Sequence, residues 1–211
     1  MKGVPSIKGI DIQGKRVLIR CDFNVPLSDG AVIDKTRIVE SLSTIRYVLE
    51  QGAGVILCSH LGRPQEGHYD STYSLQPVAD VLSLELGLPV SLVRQWRSAD
   101  PVEAGQVVLW ENVRFNPGEK ENKPELGEAM AYHADVFVMD AFASAHRAQA
   151  STVAVASAAP ISVSGLLLDQ ELSALEKVMD NPKHPIVAIV GGSKISTKIQ
   201  LLEFLLDWVD I

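Results

Sequence analysis

This chain has few of the sequence features that mark membrane, secreted or nucleic-acid-binding proteins. Its most apolar stretch, residues 153–168, is interrupted by serine, proline and glycine and is too short to cross a bilayer. The first residues contain no apolar signal core. Two cysteines cannot form a disulfide framework, so we interpret Cys21 and Cys58 as small buried hydrophobic residues of a reducing compartment. We therefore expect a cytoplasmic protein with no membrane partner.

Basic charge and reactive motifs are also scarce. Acidic residues outnumber basic ones by 26 to 19, and the net charge of −7 argues against a nucleic-acid partner. The five histidines lack ligand spacing and no Cys-x-x-Cys occurs, so no metal site is predicted. A Gly-x-Ser-x-Gly elbow is absent, which argues against serine-hydrolase chemistry. What remains is a globular composition, 46% hydrophobic, sufficient for one core and part of a second.

Short apolar runs alternate with amphipathic segments along most of the chain. Continuous apolar runs are typical of strands buried on both faces of a parallel sheet, and they predict strands at residues 17–19, 55–58, 90–93, 107–109 and 136–139. Helices are predicted from an Asp34 cap to Gly52, over 75–86 and over 124–133, and a long loop over 141–152. We therefore predict an α/β fold: an open Rossmann-like parallel sheet with helices on both faces, in three αβα layers.

The sequence changes character at Asp169, which suggests a domain boundary. We predict a first domain over residues 1–168, a connector helix and linker over 169–184, and the start of a second α/β domain over 185–211. The last segment contains a predicted buried strand at 186–190 and a helix with Ile195, Ile199, Leu202, Leu206 and Val209 on one face. A lone strand and helix cannot bury both their faces, so we expect this second domain to be truncated.

Polar side chains follow four of the predicted strands at their carboxyl ends. They are Arg20, Asp22 and Asn24; His60 and Arg63; Glu111, Asn112 and Arg114; and Asp140, His146 and Arg147. In a parallel sheet these ends share one edge, so the groups converge on a single crevice. With Arg37, from the first turn of the following helix, the crevice would hold five arginines and two histidines against three carboxylates. This excess of cations favours a small polyanion as ligand over the alternative, an internal ion-pair network.

A second candidate site lies at the turn from the last predicted strand into the last helix. There Gly191 and Gly192 would let backbone N–H groups approach an anion at the positive end of a helix, with Lys194 and Lys198 on one side. The spacing is not that of a Walker A loop, because Ser193 separates Gly192 from Lys194. Tight packing alone also explains many glycine pairs at such turns.

Five ordered motifs resemble those of phosphoglycerate kinases. They are Arg20-Cys21-Asp22-Phe23-Asn24-Val25-Pro26, Ser59-His60-Leu61-Gly62-Arg63-Pro64, Glu111-Asn112-Val113-Arg114-Phe115, Asp140-Ala141-Phe142 with Ala145-His146-Arg147-Ala148, and Gly191-Gly192-Ser193-Lys194. The sequence departs from the family's usual pattern at Ala143, Ser144 and Gln149, which lie beside the motif residues. The family's proteins are also considerably longer.

The resemblance implies a reaction and a set of site residues. The residues that would hold 3-phosphoglycerate are Asp22, Phe23, Asn24, Arg37, His60, Leu61, Gly62, Arg63, Arg114, His146 and Arg147. Arg37 and Lys194, assisted by Gly191 and Gly192, would stabilise the phosphoryl group in flight, and Lys198 would meet the nucleotide phosphates. The reaction would be reversible transfer from 1,3-bisphosphoglycerate to ADP, giving 3-phosphoglycerate and ATP.

The resemblance also implies that Mg²⁺ with ADP or ATP binds mainly to a carboxyl-terminal domain. We therefore expect this chain to be a monomer that binds the triose acid and is inactive alone. Two alternatives remain: a non-catalytic binding module for a small phosphorylated acid, which predicts the same crevice, and half of a (β/α)8 barrel, whose sites also lie at carboxyl strand ends.

Overall fold

A computed structural model describes residues 4–179, 182–191, 199–206 and 208–211. The chain divides into two compact units, residues 1–171 and 172–211, and each is described by itself. None of the described helices is long and apolar enough to cross a membrane.

The first unit alternates strands with helices. In chain order its strands are β1 (Arg16–Arg20), β2 (Leu27–Ser28), β3 (Ala31–Val32), β4 (Gly54–Cys58), β5 (Val90–Val93), β6 (Val107–Trp110), β7 (Val136–Met139) and β8 (Ser162–Ser164). Its helices are α1 (Thr36–Glu50), α2 (Gln76–Leu86), α3 (Pro124–Ala131), α4 (Phe142–Ala145), α5 (Val155–Ala158) and α6 (Leu166–Met179), the last of which crosses the division into the second unit. A π-helical turn, Ala150–Ala154, precedes α5.

Six strands form one open parallel sheet in the order β5-β6-β4-β1-β7-β8. The two shortest strands, β2 and β3, form a separate antiparallel hairpin. This confirms the predicted parallel α/β sheet. A segment of a (β/α)8 barrel would keep successive strands side by side with its helices on the outer face, whereas here the strand order is mixed and both faces are covered, so that alternative is wrong.

The sheet is covered on both faces because its central strands, β1, β4 and β7, place buried apolar side chains on both of them. Val17 and Ile19 of β1 join a core with residues of α1 and α2, among them Ile38 and Leu82. Leu18, between them, points to the opposite face because side chains alternate along a strand. There it belongs to a second core, which contains Trp110 and Phe137 of the sheet, Leu126 and Met130 of α3, and Val155 of α5. Two cores on one sheet give the predicted three layers.

The structure differs from the sequence prediction in the segment after β7. The predicted long loop, residues 141–152, contains α4 and the start of the π-helical turn. It is followed by a strand that we did not predict, β8, which pairs in parallel with β7. Only Val163 of β8 is a buried apolar residue, so the strand depends on its hydrogen bonds with β7 rather than on an apolar pattern.

The described part of the second unit contains one helix after α6, α7 (Ile199–Leu206). The predicted buried strand at residues 186–190 is wrong: these residues form no strand, and Ile189 is 94% exposed. Within the described residues, their backbone hydrogen bonds reach only Asp210 and Ile211; the amide of Asp210, for example, donates to the Ile186 carbonyl at 3.0 Å. A strand needs a longer hydrogen-bonded neighbour, which the described residues of this unit do not provide.

Candidate anion-binding site

Parallel pairing puts the carboxyl ends of four strands at one edge of the sheet. In the strand register Arg20 pairs with Cys58 on one side and with Met139 on the other, and Leu57 pairs with Leu109. The polar segments that follow β1, β4, β6 and β7 therefore begin side by side, as the sequence predicts.

The segment after β1 is tied to the segment after β4 by two hydrogen bonds. The backbone amide of Phe23, a fully buried residue, donates to Ser59 Oγ at 2.8 Å. The side-chain oxygen of Asn24 accepts from the Gly62 amide at 2.9 Å. Asp22 accepts from the Asn24 amide at 3.2 Å and from the Arg37 guanidinium, so it holds its own loop and orients Arg37.

The segment after β6 closes over the segment after β4. The amide group of Asn112 donates to the Leu61 carbonyl at 2.7 Å and to the Tyr73 carbonyl at 2.9 Å, and the Arg114 guanidinium donates to the Gly62 carbonyl. Gly62 has a φ of +59°, and a Cβ atom there would lie 2.4 Å from the Tyr73 ring. A side chain therefore does not fit at this turn, which carries hydrogen bonds from two neighbouring loops.

Arg20 is the buried centre of the edge. Its side chain is completely buried, and its Nε donates to Ser151 Oγ at 3.0 Å. One terminal nitrogen donates to the Cys21 carbonyl, and the other lies 3.2 Å from His60 Nδ1. These contacts satisfy the guanidinium within the protein, so we interpret Arg20 as a structural cation rather than a ligand-binding one.

The positive charges act on one another, which shows that they are close. Burial and then the charges of Arg20, Arg114, Arg147 and Arg37 lower the pKa of His60 to about 2. Burial, followed by Arg147, Arg20 and, more weakly, Arg63, lowers the pKa of Arg114, with Glu119 opposing the shift. The two shifts together place all five predicted arginines around one region.

Two of the three carboxylates predicted to line the crevice serve helix starts instead. Glu111 accepts from Ser74 Oγ at 2.8 Å and from the Leu75 amide at 2.9 Å, just before α2. Asp140 is fully buried and accepts from the Leu168 amide at 3.0 Å in the first turn of α6. Asp140 also borders a cavity of about 190 Å³ that Asp22 and Arg37 line. The oxygens of Glu111 and Asp140 were expected to face the arginines, but they accept from backbone amides at helix starts, which have no partner within their own helix.

A carboxylate that we did not predict takes part in the cluster. Glu119 is completely buried and accepts from both the hydroxyl and the amide of Ser151, at 2.6 and 3.0 Å. Burial raises its pKa, which these hydrogen bonds and the charges of Arg20 and Arg114 partly counter. No local signal marks Glu119 in the sequence, because it stands among other acidic residues after a Pro-Gly turn.

The excess of cations persists once the carboxylates are placed. Among the described residues only Arg37 of the five arginines forms an ion pair with a carboxylate, that of Asp22. The Nε atom of Arg114 is buried without a hydrogen-bond partner in the described part of the chain. Leaving a buried charged donor unpaired is costly, and the excess of cations makes this edge of the sheet a candidate anion-binding site.

Comparison with known proteins agrees with the motifs. A family model described as phosphoglycerate kinase matches residues 7–211. The chain belongs to the phosphoglycerate kinase family. Phosphoglycerate kinases of Francisella philomiragia and Legionella pneumophila are 53% and 54% identical to it over 98% and 96% of this chain. The matches cover 53% and 51% of those proteins, so the chain spans about half the length of the curated relatives it matches.

Solved phosphoglycerate kinase structures share the fold. The structure from Coxiella burnetii is 51% identical, with a TM-score of 0.93, and the match covers 99% of this chain and 53% of that one. The structure from Pyrococcus horikoshii is 31% identical, with a TM-score of 0.85, and the match covers 98% of this chain and 54% of that one. The predicted family membership is thereby confirmed.

The residues implied by the family resemblance differ in accessibility. Leu61 is buried, Arg147 is half-buried, and Arg63 and His146 are exposed at the same edge. The backbone of Arg147 is held on both sides, since its amide donates to the Ser144 carbonyl and its carbonyl accepts from Thr152 Oγ1. Gly191 lies in the second unit, whereas the residues expected to meet the transferred group or the nucleotide, Gly192, Lys194 and Lys198, lie outside the described residues.

No group of three or more His, Cys, Asp or Glu side chains in the described ranges is placed to hold a metal ion. The donors at this edge are guanidinium and imidazole groups, which suit an anion rather than a metal cation.

Proposed function

We propose that this chain is the triose-acid-binding half of a phosphoglycerate kinase. The enzyme would transfer a phosphoryl group reversibly between 1,3-bisphosphoglycerate and ADP, giving 3-phosphoglycerate and ATP. The observation that carries the proposal is the cluster of five arginines at one sheet edge, of which only Arg37 forms an ion pair with a carboxylate among the described residues.

The charge of the proposed ligand matches this cluster. A phosphomonoester carries a charge of about −1.5 to −2 at neutral pH, and the carboxylate of 3-phosphoglycerate adds another negative charge. Arginine donates in a planar fork that suits both groups. Of the five arginines, Arg37 is paired with Asp22, and the Arg20 guanidinium is satisfied within the protein. The other three, Arg63, Arg114 and Arg147, have no ion-pair partner among the described residues and keep N–H donors for a ligand. Asp22 and Asn24 supply acceptors for the hydroxyl group of the acid.

The cluster also fits the proposed chemistry. Phosphoryl transfer depends on positioning and on positive charge around the moving group more than on an acid–base pair. Arg37, held by Asp22 and 46% exposed, is our candidate for this charge from the first unit. We propose that Lys194, with Gly191 and Gly192, supplies it from the second unit, and that Lys198 meets the nucleotide phosphates. Mg²⁺ would arrive with ADP or ATP.

Calorimetric titration with 3-phosphoglycerate tests this proposal. We expect binding that requires the phosphate, so unphosphorylated glycerate should not bind. Arg63→Ala should weaken binding about tenfold or more, because one charge-assisted hydrogen bond is worth about 1.5–3 kcal/mol. The matched control is Arg97→Ala, which removes the same charge from another exposed arginine, one that packs over the Trp96 ring. Equal binding of glycerate, or equal loss in both variants, would contradict the proposal.

We further propose that the 211 residues bind the acid without turning it over, working as a monomer in the cytoplasm. The family resemblance supports this, because it implies that the nucleotide binds mainly to a domain beyond these residues. A coupled ATP assay on the pure chain is expected to show no turnover, and measurable turnover would refute this point. The non-catalytic binding module predicts the same crevice, but no described residue favours it over the kinase.

A further inference from the structure

A buried chain of hydrogen bonds leads from Glu119 to His60. Ser151 Oγ lies 2.6 Å from Glu119 Oε1 and 3.0 Å from Arg20 Nε. At the other end of the guanidinium, Arg20 Nη2 lies 3.2 Å from His60 Nδ1. Glu119, Ser151 and Arg20 are completely buried, and His60 is 4% exposed. None of the three buried residues is among those assigned above to contact the substrate.

The direction of every hydrogen bond in this chain follows from arginine chemistry. A guanidinium has donors and no acceptor, so Ser151 Oγ must accept from Arg20 and His60 Nδ1 must accept from it as well. The single hydroxyl proton of Ser151 is then donated to Glu119, which also accepts from the Ser151 amide at 3.0 Å. Because His60 Nδ1 accepts, the proton of a neutral imidazole is on Nε2.

The surroundings keep His60 from taking a second proton. The charged groups that act on it are Arg20, Arg37, Arg114 and Arg147, and all are positive. Burial and these charges lower its pKa to about 2. His60 Nε2 forms no hydrogen bond with any described residue, so its proton is available to a ligand.

We propose that Glu119, Ser151 and Arg20 are positioning residues that hold His60 as a neutral Nε2–H donor to an oxygen of the bound phosphorylated acid. The ligand in this statement rests on the proposed function, whereas the tautomer stands on the hydrogen bonds alone. A neutral donor adds a directed hydrogen bond to the cluster without adding a further positive charge beside Arg114. Fixing the ring before binding also lowers the entropy cost of ordering it.

The nitrogen spectrum of the histidines tests the tautomer directly. In the ¹⁵N-labelled protein at pH 7, long-range ¹H–¹⁵N correlation should show His60 with a protonated Nε2 and an unprotonated Nδ1. The signal is assigned by its loss in His60→Gln. A His60 ring protonated on Nδ1, or on both nitrogens, at pH 7 would overturn the inference.

Two variants test the positioning role. Ser151→Ala removes the hydroxyl that joins Glu119 to Arg20, and we expect the His60 signals to shift or to show mixed tautomers. The matched control, Ser164→Ala, removes another fully buried hydroxyl, one that donates to Asp169 and whose oxygen lies 3.2 Å from the Pro5 carbonyl oxygen. It should leave the His60 signals unchanged.

Glu119→Gln is the second variant and serves if Ser151→Ala does not fold. It keeps the side-chain volume but removes the negative charge, and its NH2 group, placed against the Ser151 hydroxyl, would make that hydroxyl an acceptor where it now donates. Unchanged His60 signals in the folded variants would overturn the positioning role.

Binding distinguishes this inference from the proposed function. We expect Ser151→Ala to weaken 3-phosphoglycerate binding by up to about tenfold, as for the loss of one well-aligned hydrogen bond, and Ser164→Ala to leave it unchanged. Absence of binding by the unmodified chain would refute the proposed function, while the nitrogen spectrum would still decide the tautomer. Normal binding by a Ser151→Ala protein with a disturbed His60 ring would refute the donor role of His60.

Discussion

Replacing Gly62 by alanine should disturb the anion site through one crowded turn. Gly62 has a φ of +59°, and an added Cβ would lie 2.4 Å from two atoms of the Tyr73 ring. Gly87 provides a matched control, because its φ is +69° but an added Cβ would meet nothing within 4 Å. The two variants share the backbone strain, and only one of them has the steric overlap.

The difference between the two variants follows from these geometries. Placing a side chain in the left-handed region costs about 1–2 kcal/mol, which is the expected loss in the free energy of unfolding for Gly87→Ala. Overlap with a ring that must move typically costs a further 1–3 kcal/mol or so. We therefore expect Gly62→Ala to lose about 2–5 kcal/mol. Because the backbone of Gly62 binds Asn24 and Arg114, this variant should also weaken 3-phosphoglycerate binding.

Urea unfolding followed by circular dichroism measures the first effect, and calorimetric titration measures the second. Equal losses of stability in the two glycine variants would refute the steric argument. Full binding by Gly62→Ala would refute the role of this turn in holding the loops of the site.

Three further predictions concern single side chains of the same edge. Arg114→Met should abolish 3-phosphoglycerate binding. It should leave the free energy of unfolding unchanged or about 1 kcal/mol higher, because it removes a buried cation that lies beside other cations. A clear loss of stability in urea would contradict this. His60 is neutral in the folded protein and takes a proton below about pH 6.5 in the unfolded chain, so the free energy of unfolding should fall by about 1 kcal/mol between pH 7 and pH 5.5. His60→Gln should remove this part of the pH dependence. An unchanged pH dependence in urea titrations of the variant would show that another group is responsible. Glu111→Gln should lower the free energy of unfolding, measured in urea, by about 1–3 kcal/mol, because the Glu111 carboxylate accepts from Ser74 and from the Leu75 amide just before α2. An unchanged free energy of unfolding would contradict this role of Glu111 at the start of α2.

The strands of the first unit were predictable because their apolar runs are continuous. Residues 55–58 and 136–139 carry no polar side chain, and β4 and β7 form there with almost these bounds. β8 was not predictable in this way, because Ser162 and Ser164 flank a single valine and the strand forms by pairing with β7. The segment at 186–190 shows the reverse case, since an apolar run without a neighbouring strand does not become one.

The site residues that directly follow strands could be predicted from the sequence. A residue that joins the site only because the folded chain buries it could not. Parallel topology alone brings Arg20, His60 and Arg114 to one edge, so their convergence follows from the order of elements. Glu119 lies in a run of charged residues that looks solvated in the sequence. Only its contact with Ser151, 32 positions further along the chain, buries it beside Arg20.

A crystal structure of this chain grown with saturating 3-phosphoglycerate tests the proposed anion site most directly. We expect the phosphate and carboxylate groups to lie at the carboxyl edge of the sheet, within hydrogen-bond distance of at least two of Arg63, Arg114 and Arg147. A ligand bound elsewhere, or an empty edge in which these arginines pair with carboxylates of the chain, would contradict it.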